Sequence, residues 1–387
     1  MKKNILKRLT AFLLAVICTA TFCTMAYAAA IVYNNIELEF ITKTPSKTLN
    51  GRRYSGVGGI AAGTNRTSMF VTKAETNEDN LATEQLALFY DFPNINDTST
   101  YYYYYIPQAG HANGMAIDNY NIYICGWRNV PKTGNQTGND ANNWIIKLPR
   151  SYFSYFRSEC NGDVLDPDSP TKQGYSVLEP IIDGTVDTPF TYEIRNITKY
   201  NSNKTFIVQY FWNKNIGNNL AYTTARLVTE NGVEKFYVST DPDDIFIVEN
   251  NVLFYDGTLQ DICYSPGNGL FIPIWYYDKY NKTNPLTNKN KNVIMWVDLS
   301  TTNNPKLSTI TIDGVTYRYY TQPDKINVNQ SGKGYDTFEV ESIAITDNDE
   351  MLFSANVVQA DGQQGELTSS DSVFKLTHDN GQNFVLQ

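Results

Sequence analysis

The sequence predicts an all-β chain folded as a five-bladed β-propeller, with four-stranded antiparallel blades and an N-terminal strand closing the last blade. Three observations predict it. Apolar and aromatic segments recur between Asn, Gly and Asp turns, and Tyr (28) and Phe (19) are abundant, which favours sheet over helix. A strand–turn–strand unit, clearest at Gly110–Asp118 and Asn121–Trp127, appears five times. Its copies align on Ile60, Met115, Ile197, Ile262 and Ile343. The residue before each is small or polar (Gly59, Gly114, Asn196, Asp261, Ser342) and the residue after is small (Ala61, Ala116, Thr198, Cys263, Ala344), as a crowded meeting of strands requires. The copies lie 55, 82, 65 and 81 residues apart, which fits four-stranded repeats with unevenly inserted loops. A β-sandwich with chance similarity is the competing fold.

Taken in order, the chain opens with Lys2, Lys3, Lys7 and Arg8, an apolar stretch from Leu13 to Met25, and Ala26-Tyr27-Ala28. This is the grammar of a Sec-type secretory signal over 1–28. Ile17 and Phe22 precede Cys18 and Cys23, so there is no lipobox, and the predicted location is secreted or extracellular. The rest, 29–387, reads as one propeller domain. Its blades are roughly 55–107, 108–185, 186–250, 251–325 and 326–387, with 31–54 closing the ring. Ile31–Phe40 alternates apolar and polar and is the closing strand; Lys43–Arg53 reads as a surface connection. Second strands fall at 69–71, 122–124, 205–208, 270–272 and 351–353, after turns such as Asn201-Ser-Asn203 and Ser265-Pro-Gly-Asn268. Third strands fall at 85–89, 144–147, 222–226, 293–296 and 372–375, and fourth strands at Tyr101–Ile106, Lys235–Val238 and Val315–Tyr320. The five tyrosines Tyr101–Tyr105 read as one strand covered on both faces, since alternate side chains point opposite ways.

The net charge of −9 argues against nucleic acid and anionic membrane as electrostatic partners. No transmembrane segment is predicted after the signal, and oligomeric state is not legible. Three cysteines remain (Cys125, Cys160, Cys263), too few for a disulfide framework; Cys125 and Cys263 sit in strand patterns as core residues. No Gly-x-Ser-x-Gly turn, zinc-spaced Cys/His set or phosphate-cradling glycine loop is present.

Propeller geometry gathers the entrance of each first strand and the exit of each second strand at one end of the axis. The entrances carry His111, Asn113, Glu193, Arg195, Gln260, Asp261, Glu339 and Glu341; the exits carry Trp127, Trp212 and Trp275, with Tyr276 and Tyr277 behind. Polar groups beside aromatics suit a glycan, whose apolar face stacks on rings while its hydroxyls meet carboxylates and amides. The plain alternative is that the tryptophans seal gaps between blades and His111 orders a loop. If the site is catalytic, Glu341, Glu339, Asp261 and His111 are its candidates, as a glycosidase acid and base pair. No cofactor is required; a central Ca²⁺ on Glu193, Asp261, Glu339 and Glu341 is the metal this set could hold.

Phe338–Ile345, Leu259–Tyr264 with Asn268–Ile272, and Gly110-His111 before a first strand resemble the secreted helveticin J-like bacteriocin proteins. The resemblance covers the blade cores. It implies a five-bladed propeller acting outside the cell, with antimicrobial activity in some members; no site residues carry over. Three functions follow: a glycan or cell-surface binding protein, a glycan hydrolase or lyase on the same scaffold, and a structural envelope or adhesion module.

Overall fold

The computed structural model describes residues 29–378, apart from 35, 64–67, 76–85, 111, 127–143, 152, 154–156, 166–174, 184–193, 195, 203, 210–216, 218, 251, 253–256, 277–290, 331, 361 and 363–369. The chain is all-β and propeller-like. Its described strands form five sheets that succeed one another along the sequence. The first holds Lys47–Leu49, Arg52–Ala62, Met69–Glu75, Ala87–Phe92 and Tyr102–Ile106. The second holds Met115–Ile117, Asn121–Gly126, Trp144–Pro149 and Ser176–Leu178. The third is built on Ile197–Lys199, Thr205–Gln209, Leu220–Glu230 and Val233–Ser239. The fourth holds Cys263–Ser265, Gly269–Tyr276, Lys291–Val297 and Asp324–Asn329. The fifth holds Tyr335–Ile345, Met351–Gln359, Ser372–His378 and, from the start of the chain, Ile36–Lys43.

Strand alternation explains the packing. In the second sheet Ile122 and Ile124 face an apolar cluster shared with Phe70 and Phe89 of the first. The intervening Tyr123 and Cys125 face a cluster shared with Phe206 and Val208 of the third. The same division repeats onward: Ile207 meets Ile272 and Met295, Phe271 meets Phe338 and Phe353, and Leu352 and Val373 of the fifth sheet meet Tyr54 and Val71 of the first. Each sheet is therefore buried on both faces, and at roughly 25 cal/mol per Å² of apolar surface this burial is the main term holding the sheets together. The strands Arg52–Ala62, Met115–Ile117, Ile197–Lys199, Cys263–Ser265 and Tyr335–Ile345 touch in that order, and the last touches the first.

Several expectations need correction. The sheets are not uniform four-stranded antiparallel units. In the third, the fourth position is shared by Val233–Ser239 and Phe246–Val248, which pair with successive halves of Leu220–Glu230. Pro180–Asp183 and the hairpin Leu307–Ile312/Val315–Tyr320 widen it through parallel pairings. Val315–Tyr320 therefore belongs to the neighbouring sheet, beside Phe246–Val248, and Asp324–Asn329 is the fourth strand of its own. The stretch 43–53 is no plain connection: Lys47–Leu49 forms a hairpin with Arg52–Tyr54, turning through Asn50 and Gly51, both at positive φ. The N-terminal segment splits. Val32–Tyr33 pairs with Lys325–Ile326, while Ile36–Lys43 completes the last sheet as expected.

The tyrosine strand divides as alternation requires, with Tyr101, Tyr103 and Tyr105 on one face and Tyr102 and Tyr104 on the other. Cys125 and Cys160 are buried, Cys263 is half-buried, and all three are free thiols. The proposed signal segment lies outside the described residues. Among the described residues no helix is long and apolar enough to cross a membrane.

Candidate functional site

Of the residues expected at the mouth, His111, Trp127, Glu193, Arg195, Trp212 and Tyr277 lie outside the described residues. Asn113, Gln260, Asp261, Trp275, Glu339 and Glu341 are described.

Glu339 and Glu341 lie on Tyr335–Ile345, the first strand of the fifth sheet. Glu339 sits directly opposite Asn356. The pairing then steps from Val340–Ala355 to Ser342–Ser354, leaving Glu341 as the extra residue of a β-bulge. Bulges re-aim side chains and are frequent beside active sites. The first sheet bulges at the equivalent place, between Val57–Lys73 and Ile60–Val71, where Gly58 and Gly59 stand.

The bulge gathers a polar chain across three sheets. Gln260 of the fourth sheet donates from Nε2 to Glu339 Oε1 at 2.5 Å. Asn356 Nδ2 donates to Glu341 Oε1, and its side chain also bonds Glu339. Asn356 Oδ1 accepts the Val57 amide of the first sheet at 2.9 Å. Behind them, Asp371 accepts Val357 N at 2.9 Å and Lys73 Nζ at 3.1 Å. Lys73 is almost wholly buried and also donates to Thr44 O at 2.6 Å.

Burial raises both glutamates. Glu339, half-buried, is pushed up to about 7, against the stabilising hydrogen bonds of Asn356 and Gln260. Glu341 lies deeper and is raised further by burial, then by the charges of Glu339 and Asp371. Two carboxyls this close do not both ionise easily. Near neutrality Glu339 is close to its midpoint, and Glu341 beside it is held well above the usual carboxylate range.

The other predicted residues are placed differently. Asp261 is fully buried, so it belongs to the interior and not to the mouth; its Oδ2 accepts from Ser342 Oγ, which in turn accepts the Ile60 amide at 2.9 Å. Asn113 is half-buried and backs onto the first sheet, where a Cβ on Gly59 would stand 2.9 Å from Asn113 O and 2.8 Å from Ala112 O. Trp275 is half-buried at the end of its strand, two residues past Pro273, whose carbonyl accepts Gln260 N at 3.3 Å. A second-strand exit thus lies beside a first-strand entrance, as propeller geometry requires. Among the described residues no group of three or more His, Cys, Asp or Glu is arranged to hold a metal ion.

Asn356, Asp371 and Lys73 were not anticipated. Lys73 carries the one usable signal, a cation inside the strand run Met69–Ala74, every residue of which is buried. Asn356, inside Met351–Gln359, and Asp371, just before Ser372–His378, carry none, because the groups they bond stand on other strands.

No family model matches the chain, and no curated protein matches it. Solved structures do. A glycosyl hydrolase from Bacteroides ovatus is 7% identical with a TM-score of 0.42, over 91% of this chain and 96% of that one. A structure described under the GH130 family of mannoside phosphorylases, with glycoside hydrolases that target β-1,2 mannosidic linkages in Candida mannan, is 8% identical with a TM-score of 0.42, over 93% and 98%. The GH32 β-fructofuranosidase of Bombyx mori is 8% identical with a TM-score of 0.38; the alignment takes in 87% of this chain but spans only 61% of that one. The likeness is one of chain course.

Proposed function

We propose that this is a secreted five-bladed β-propeller that acts on a glycan at its axial mouth, with Glu339 as the acid that touches the ligand. The blade count is supported by the ring of five first strands and by the five apolar clusters, each shared between successive sheets. The observation that carries the activity is the pairing of Glu339 and Glu341 through Asn356, with Gln260 joining from the next sheet.

Glycosidic cleavage asks for a carboxyl that is protonated at working pH and can reach the leaving oxygen. Glu339 is the more exposed of the two and is poised at about 7. Glu341, raised beneath it by burial and then by the charge of Glu339, makes the fully ionised pair costly. In hydrolysis the glycosidic C–O bond breaks as Glu339 gives its proton to the leaving oxygen. The oxygen of one water bonds the anomeric carbon, and a proton from that water restores Glu339.

The test is release of reducing ends from a panel of oligosaccharides by the mature protein. Glu339→Gln should lower turnover at least ~100-fold while leaving glycan affinity within a few-fold, since general acid catalysis supplies about 10²–10⁴. Glycan binding without cleavage of any substrate would make the protein a binding module; absence of both would overturn the reading.

A further inference from the structure

The strand that carries Glu339, Tyr335–Ile345, stands last in its sheet, so one of its edges is not paired within the sheet. Phe338 O and Val340 N point off that edge. They belong to the two peptide units that flank Glu339, and one side chain of the fourth sheet takes both. Asn292 Nδ2 donates to Phe338 O at 2.8 Å, and Asn292 Oδ1 accepts the Val340 amide at 2.8 Å. Nδ2 also reaches Val328 O of its own sheet at 3.4 Å. Asn292 is 2% exposed and lies directly across the strand pair from Trp275, which sets its amide at the level of the mouth.

Other inner strands are capped by single bonds of this kind. Thr198 Oγ1 accepts the Tyr264 amide at 2.9 Å, and Thr72 Oγ1 donates to Ala112 O at 2.8 Å. Asn292 instead grips both sides of one residue, and that residue is the raised acid. The charged groups that act on the Glu339 carboxyl are Asp371 and Glu341, both negative, and Lys73 of the first sheet is held on Asp371. From the fourth sheet it meets the amide of Gln260. A carboxylate kept out of water beside like charges gains by moving toward solvent, so a fixed backbone is what keeps it in place. We propose that Asn292 is the positioning residue of the mouth, holding the Glu339 carboxyl between Gln260 and Asn356 by its grip on the peptide units either side. The assignment rests on the reading of Glu339 as the acid that touches the ligand.

The experiment is a carbon NMR titration of the mature protein labelled at the glutamate carboxyl carbons, with no glycan present. The Glu339 signal is the one that Glu339→Gln removes. In Asn292→Leu the freed carboxyl moves toward water, so its midpoint should fall from about 7 by at least ~1 pH unit, toward the ordinary glutamate value. Asn292→Thr keeps one hydroxyl and suits a strand; it should fall by less, and it is the variant read if Leu does not fold. Thr198→Val removes a cap between the third and fourth sheets and should leave the midpoint within ~0.3 unit. On an oligosaccharide that the wild type cleaves, the Asn292 variants should lower kcat ~10–100-fold and leave KM within a few-fold, as misplacement of a reacting group does. A midpoint unmoved in both Asn292 variants, or a kcat unmoved on a cleaved substrate, overturns the assignment while the glycosidase reading stands. A moved midpoint in a protein that cleaves no glycan leaves the grip in place and overturns the glycosidase reading.

Discussion

The raised Glu339 pKa makes stability depend on pH in a direction opposite to that of an ordinary surface carboxylate. Its value moves from 4.5 to about 7 on folding, chiefly through burial. The native state therefore holds a proton that the unfolded chain has released. The contribution is intact below pH ~4.5 and is lost as pH rises to about 7. At 1.36 kcal/mol per pH unit, a displacement of about 2.5 units amounts to roughly 3 kcal/mol as an upper figure. Glu341 is raised in the same direction, so it adds its own loss of stability as pH rises, in the wild type and in the variant alike. Gln at position 339 imitates the protonated acid and retains an acceptor for Gln260. Urea unfolding at pH 5 and pH 8 measures the effect. Glu339→Gln should match the wild type at pH 5 within ~0.5 kcal/mol and exceed it by ~2–3 kcal/mol at pH 8. If the two proteins lose the same stability between those pH values, Glu339 is not the group that titrates and the account of the pair fails.

Three further outcomes follow from named contacts. Lys73→Met strands the Asp371 carboxylate and the Thr44 carbonyl, so it should cost ~3–5 kcal/mol; adding Asp371→Asn should return much of that, and unfolding of the two variants measures it. Gly59→Ala drives a methyl against two backbone oxygens at 2.8 and 2.9 Å and should cost ~1–3 kcal/mol, seen as a lower denaturant midpoint at unchanged slope. Arg157→Met leaves fully buried Asp91, already raised to about 6 by burial, without the guanidinium bonds at 2.6 and 3.2 Å. The ionised acid is then uncompensated, so the loss should be ~2 kcal/mol larger at pH 8 than at pH 5, where protonation relieves it.

The second and third strands of each repeat were legible because each is a short apolar run bounded by turn residues, which is how a strand buried on both faces reads. Ile122, Tyr123, Ile124 and Cys125 assign themselves to opposite clusters by parity alone. The fourth strands were harder. Val315–Tyr320 and Asp324–Asn329 both alternate, and only a long-range parallel pairing with Phe246–Val248 takes the first of them into the next sheet. Nothing local encodes such a partner. At the site, Glu339, Glu341 and Gln260 were found from their offset to the aligned isoleucines. Asp261 stands one residue nearer its aligned isoleucine, at the offset of Ser342, and lies in the interior, where Ser342 of the adjacent sheet is its partner. Asn356 and Asp371 were missed because their roles depend on strands 15 and more residues away in sequence.

The bulge at Glu341 ties the buried Ser342–Asp261 contact to the Glu339–Glu341 pair. On a regular strand consecutive side chains point to opposite faces, so Glu341 and Ser342 could not both serve polar centres between the same neighbours. Here they do: Glu341 accepts from Asn356, which caps the Val57 amide, and Ser342 bridges Asp261 and the Ile60 amide. Ser354, opposite Ser342, donates to Gly58 O at 2.7 Å. The backbone at Val57–Ile60 bulges in turn and carries glycines, so its amides and carbonyls turn toward the fifth sheet without a side chain between them. The seam between the last and first sheets is thus held by side chain to backbone bonds at Val57, Gly58 and Ile60, and the same residues fix the Glu339–Glu341 pair. Closure of the ring and placement of the acid pair are consequences of one local feature, the unpaired residue two positions before each aligned isoleucine in these two sheets.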